Sequence, residues 1–167
     1  MVRLASHGAD VVVNYHSSPK AAEAVAEECR SLGVRAICVQ ANISKPEPIA
    51  HLFKAAIDEF GAIDIVMSNS GVEHFDDIPN VKTEDIDKVF GINVKGQFLV
   101  AQQAFAHVRE NGRVILMSSI SAVWVTIDHS HDIWASQSLT LFTGRAPSRH
   151  LRCVEGRHPR HGQMSGS

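Results

Sequence analysis

Apolar and polar positions along this chain follow two periods, and the switches between them mark the elements. Asp10–Tyr15 carries three consecutive valines and turns polar at Asn14, the pattern of a buried strand. Ser17, Ser18 and Pro19 open a helix, and the alanine- and glutamate-rich run Lys20–Ser31 continues it to a stop at Gly33. Arg35–Ala41, with Ile37 and Val39 inside, predicts a second strand. Ser44 is then expected to cap a helix whose apolar positions Ile49, Leu52, Phe53, Ala56, Ile57 and Phe60 recur at helical spacing, with Gly61 as its stop. Ile63–Met67 predicts a third strand. Thr83–Ala106 reads as a long helical region interrupted near Gly91 and Gly96, and Gly112 precedes a fourth strand at Arg113–Met117. At the start of the chain, Leu4–Ala9 reads as the last turns of a helix stopped by Gly8.

Strands and helices therefore alternate with short links, which predicts an α/β fold with a parallel sheet covered by helices on both faces. Each predicted strand ends in small or polar residues: Asn14 and Tyr15, Asn42, Ser68 to Gly71, Ser118 and Ser119. In a parallel sheet those ends share one edge, where ligands of such folds bind, so the pattern predicts a nucleotide site. Ser68, Asn69 and Ser70 offer hydroxyl and amide groups there. Gly71 lets a ligand approach the backbone with no side chain between.

Composition narrows this further. The 167 residues fit one domain, and a net charge of −2 points to neither nucleic acid nor a membrane surface as partner. No apolar run reaches the roughly 18 residues of a membrane span. Cys29, Cys38 and Cys153 are odd in number and widely spaced, which predicts reduced thiols and a cytoplasmic protein. All six lysines lie at or before Lys95, whereas Arg145–Ser167 holds five arginines, three histidines and few apolar residues. The expected organisation is an ordered domain over 1–123 and a poorly ordered tail over 124–167. His129, His131, His158 and His161 lack an acid or cysteine to complete a tetrahedral set, so no metal site is expected.

Four stretches carry a resemblance: Gly8–Tyr15, Ser68–Val72, Val89–Phe98 and Gly112–Ser119. In order and spacing they are similar to the short-chain dehydrogenase/reductase family, and in detail to fungal hydroxynaphthalene reductases of melanin-type polyketide pathways. The resemblance covers about residues 1–123. It implies a Rossmann-like doubly wound sheet, incomplete here, that binds NAD or NADP. It implies that Asn69, Ser70 and Gly71 match the family's Asn-Ala-Gly segment beside the adenine ribose, with Ser70 at the usual alanine. Asn42 and Ile43 match the positions against the adenine. Asn93 matches the asparagine of the proton relay, and Ser119 the serine that hydrogen-bonds the substrate carbonyl. A small-molecule carbonyl substrate and a homo-oligomeric state are further implications.

Cofactor choice can be read from charge. A carboxylate after the second family strand would hold a ribose 2′-hydroxyl and repel a 2′-phosphate. Here that position reads Asn14, Tyr15, His16, Ser17, Ser18, without an acid, and the serines sit at a helix N-terminus that favours an anion. NADP(H) is expected over NAD(H).

Two family features have no counterpart in the chain. Gly8 is the only glycine before Gly33, so the first strand and its Gly-rich turn are missing. Tyr15 is the only tyrosine and Lys95 the last lysine, so no Tyr-x-x-x-Lys pair follows Ser119. The nearest alignment puts Trp134 and Ser138 at those places, and neither supplies an acid near neutral pH. Little or no reductase activity is therefore expected of the chain as written. A retained intron or frameshift after about Val123 accounts for the missing pair, the arginine and histidine enrichment and the lost periodicity together. The alternative reading is a non-catalytic nucleotide- or partner-binding protein.

Overall fold

The computed structural model describes residues 1–118. In order the elements are α1 (Val2–Ala5), β1 (Val11–Tyr15), α2 (Pro19–Ser31), β2 (Ala36–Gln40), α3 (Pro46–Phe60), β3 (Ile63–Ser68), a 3-10 turn (Ile78–Asn80), α4 (Thr83–Phe90), a π-helical segment (Gly91–Gly96), α5 (Gln97–His107) and β4 (Val108–Leu116). The fold is α/β with parallel strands, as the alternation of periods predicts.

The strands pair two by two. β1 runs parallel to β2, with Val11 opposite Ala36 and Tyr15 opposite Gln40. β3 runs parallel to β4, with Met67 opposite Ile115 and Ser68 opposite Leu116. Among the described residues no ladder joins the two pairs.

Strand alternation decides what each face buries. Val11, Val13 and Ala36 turn to one face and pack against Ala22, Ala26 and Cys29 of α2, with Ala5 of α1. The second core gathers Ile43, Ile49, Phe53, Val100 and Ala104, with Val66 and Val114 packed against it. It seats α3 and α5 on one face of the β3–β4 pair. The opposite face leaves Ile65, Met67, Ile115 and Met117 exposed.

Two local details depart from expectation. Ser44 does not cap α3: the N-cap is Lys45, and no side chain bonds the first turn. The Asn42 carboxamide oxygen instead accepts both the Ser44 N–H (2.9 Å) and the Ser44 hydroxyl (2.8 Å). An Asx turn therefore competes for the serine. β4 begins at Val108, before Gly112, because residues 109–112 bulge out opposite Asp64. Asn111 adopts φ 65° in that bulge, and a Cβ on Gly112 would lie 2.7 Å from the Asp64 carbonyl oxygen. An ion pair between Arg109 and Asp64 also spans it. The long helical region changes character where an interruption was expected: α4 ends at Phe90, a π-helical segment runs from Gly91 to Gly96, and α5 follows, with Gly96 a contact point.

One arginine ties the amino ends of the first pair together. The Arg35 N–H donates to Asp10 Oδ1 (2.8 Å), and its guanidinium donates to Asp10 Oδ2 (2.5 and 3.0 Å) and to the Glu59 carbonyl (3.1 Å). The guanidinium carbon also stands 4.7 Å from the centre of the Phe60 ring. Its partners hold the Asp10 carboxyl below its ordinary value: first the Arg35 backbone N–H, then the guanidinium. Among the described residues no helix is long and apolar enough to cross a membrane.

Candidate functional site

The carboxyl end of β3 leads into Asn69, Ser70 and Gly71, all exposed. Asn93 holds the residue that follows. Its carboxamide oxygen accepts the Val72 N–H at 2.9 Å, and its Nδ2 donates to the Val72 carbonyl at 2.8 Å. One side chain thus satisfies both backbone groups of one residue across 21 positions of sequence. Asn93 lies inside the π-helical segment Gly91–Gly96, and single π turns within α-helices concentrate at functional positions. Gly71 packs directly on this clamp: a Cβ there would lie 3.6 Å from Asn93 Oδ1.

The end of β2 is brought to the same side. A Cβ on Gly96 would meet the Ile43 carbonyl oxygen at 2.9 Å and Ile43 Cδ1 at 3.0 Å. Only a glycine lets the helix approach the chain leaving β2 this closely. The Ile43 side chain is buried in the second core, so any ligand contact at this position falls to its backbone. Asn42, half-buried, spends its carboxamide oxygen on Ser44.

The end of β1 is braced against β2. Asn14 Nδ2 donates to the carbonyls of Val39 and Ala41, both at 3.1 Å, so this amide secures the strand ends. Tyr15 packs partly against the first core. The Gln40 amide donates to the His16 carbonyl at 2.9 Å and holds the turn that presents Ser17 and Ser18. Ser18 is the N-cap of α2 but makes no side-chain cap bond, and both serines are exposed. No carboxylate lies between Asp10, bound by Arg35 at the far end of β1, and Glu23.

Two features were not legible beforehand. Gln97 is buried at 3% exposure, and its Nε2 donates to the Ser68 carbonyl at 3.3 Å. Val72 enters through its backbone alone. Position within a helix marks Gln97 as one polar residue among several, and backbone roles leave no mark on residue type. Nearby, burial, then the neighbouring Glu23, pushes the Cys38 thiol up, which disfavours its thiolate. In the loop after Gly71, Glu73, Asp76 and Asp77 are exposed, and His74 Nε2 stands 3.6 Å from Asp85 Oδ2. Among the described residues no cluster of three or more His, Cys, Asp or Glu could hold a metal ion. Ser119, Trp134, Ser138, the four tail histidines and the boundary expected at 123 lie outside the described residues.

The site is thus a set of strand ends and helix turns gathered on one side of parallel strands. The profile of the family described as short chain dehydrogenase matches residues 1–129. The chain belongs to the short-chain dehydrogenase family. It is 46% identical over 121 residues to the hydroxynaphthalene reductase-like protein Arp2 of Metarhizium guizhouense, covering 72% of this chain and 45% of that protein. It is 45% identical over 121 residues to the versicolorin reductase stcU of Emericella nidulans, covering 72% and 46%. The chain therefore spans about half the length of these curated relatives. Among solved structures, a short chain dehydrogenase from Burkholderia cenocepacia in complex with NADP superposes with a TM-score of 0.72 at 32% identity. That match covers 74% of this chain and 51% of the other. A blue fluorescent protein from a metagenomic library, in complex with NADPH, superposes at 0.67 and 30% identity over 72% and 50%. These likenesses show a Rossmann-like fold present here in part, with a hydroxynaphthalene reductase-like protein and a versicolorin reductase among the relatives.

Proposed function

We propose that the 1–118 body is the NADP(H)-binding part of a reductase acting on a ketone or polyhydroxynaphthalene-like polyketide. The observation that carries this is the Asn93 clamp on Val72, which fixes Asn69, Ser70 and Gly71 in the open at the end of β3. The residues suit the nucleotide. Asn69, Ser70 and Gly71 would line the ribose, and the chain at Asn42 and Ile43 the adenine. Beside Asn14 and Tyr15, the Ser17 and Ser18 hydroxyls and the uncapped first turn of α2 would take a 2′-phosphate, with no carboxylate to repel it. The NADP and NADPH complexes among the structural relatives support the same preference.

When bound, the nicotinamide supplies a hydride to a carbonyl carbon. Ser119 would hold the carbonyl oxygen by its hydroxyl, and Asn93 would order the water of the proton path. The chain offers no Tyr-x-x-x-Lys pair after Ser119 to deliver the proton, so the product as written binds nucleotide without turnover. That absence also favours the second reading, a non-catalytic binding module.

Fluorescence titration with NADPH and NADH, followed by assay on a naphthol-type ketone, tests both readings. Saturable NADPH binding, weaker NADH binding and no turnover are expected. Turnover by the 167-residue chain would refute the inactive reading, and absence of any NADPH binding by a cooperatively folded chain would refute the site. Sequencing the transcript across this reading frame then separates a reductase with its pair restored from a binding module.

A further inference from the structure

The geometry points to Gln97 as a positioning residue that, with Asn93, forms a two-point amide tether on the Ser68–Val72 segment. This inference rests on the nucleotide site proposed above. The two side chains are four residues apart, across the junction of the π-helical segment and α5, and both reach the chain that leaves β3. Asn93 grips its far end at Val72. Gln97 grips its near end: the Ser68 carbonyl accepts the Gln97 amide at 3.3 Å and the Met117 N–H at 3.0 Å. That single carbonyl joins β3, β4 and α5 at the base of the loop. Asn69, Ser70 and Gly71 lie between the two grips.

The cost of this arrangement argues against a purely structural role. Gln97 is 3% exposed, and among the described residues its buried carboxamide oxygen has no hydrogen-bond partner. An apolar side chain of similar volume would fill the space without an unmet acceptor, so packing alone would favour Met or Leu. What the amide adds is the fixed direction of the Ser68 carbonyl and of the loop that starts there.

The test compares the full chain with its Gln97→Met and Gln97→Leu variants in three readouts. Thermal unfolding is expected to be unchanged or raised by a few degrees. Hydrogen exchange of a peptide spanning Ser68–Val72, without ligand, is expected to speed up about ten-fold. The NADPH Kd is expected to rise about ten-fold. Unchanged exchange at unchanged stability would overturn the proposal. Loss of cooperative unfolding in both variants would overturn it too, since Gln97 would then be a core residue. Faster exchange in the variants, together with a folded wild type that binds no NADPH, would leave the tether standing and refute the nucleotide site instead.

Discussion

Asn93 shows how much one side chain can organise. An amide that donates and accepts at one backbone residue leaves neither Val72 group unsatisfied, which a carboxylate, having no donor, could not do. Asn93→Leu removes both bonds and leaves two peptide groups without partners. The expected loss is about 2 kcal/mol of loop order, read as a roughly 30-fold rise in the NADPH Kd by fluorescence titration. Asp10 works at the opposite end of the strands, for stability. Its carboxyl pKa lies below the ordinary 3.8 in the folded chain, because Arg35 bonds the charged form. The folded chain therefore binds this proton less readily than the unfolded one. The resulting stability is complete above pH 3.8 and disappears as pH falls through the depressed folded value. Urea midpoints measured from pH 5 downward should fall more steeply for the wild type than for Asp10→Asn.

At the level of elements, the decisive contact is between the helix over Thr83–His107 and the chain leaving β2. Gly96 admits the Ile43 carbonyl to within 2.9 Å of where a Cβ would stand. Gly96→Ala forces this helix away from the chain leaving β2, an overpacking cost of about 1–3 kcal/mol. Thermal unfolding should move down by several degrees, and the exchange protection of Ile43 should fall with it. The β4 bulge follows the same logic. Gly112 sits against Val108 and the Asp64 carbonyl, so the strand resumes register only where no side chain intervenes.

Across the whole molecule, what stands out is apolar surface. Phe98 and Phe105 are 66% and 61% exposed and lie seven residues apart, on one face of α5. Ile65, Met67, Ile115 and Met117 form a second exposed group on the β3–β4 pair. Large rings on one helix face would suit a second copy of the chain, the homo-oligomer that the family resemblance implies. Sedimentation velocity should show a concentration-dependent oligomer that the double change Phe98→Glu and Phe105→Glu reduces toward monomer. Its thermal stability should stay within about 1 kcal/mol of wild type at matched monomer concentration, as exposed positions allow.

The order of elements was readable from the chain alone because hydrophobic period is a local property. Three valines before Asn14, the helical spacing of Ile49 to Phe60 and the glycine stops at 8, 33 and 61 all act within a few residues. The polar strand ends were readable for the same reason, and the structure brings Asn69, Ser70, Gly71 and Asn93 together at the end of β3. Strand pairing was not, since a strand carries no record of which neighbour completes its ladder. Nor was the fate of individual polar side chains. Asn14 and Asn42 bond carbonyls and a serine of their own fold, Ser44 turns from capping to an Asx turn, and Gln97 is drawn inside to hold Ser68. Each of those outcomes depends on which donor and acceptor meet across 2 to 29 positions of sequence, and only the folded chain brings them within hydrogen-bond reach.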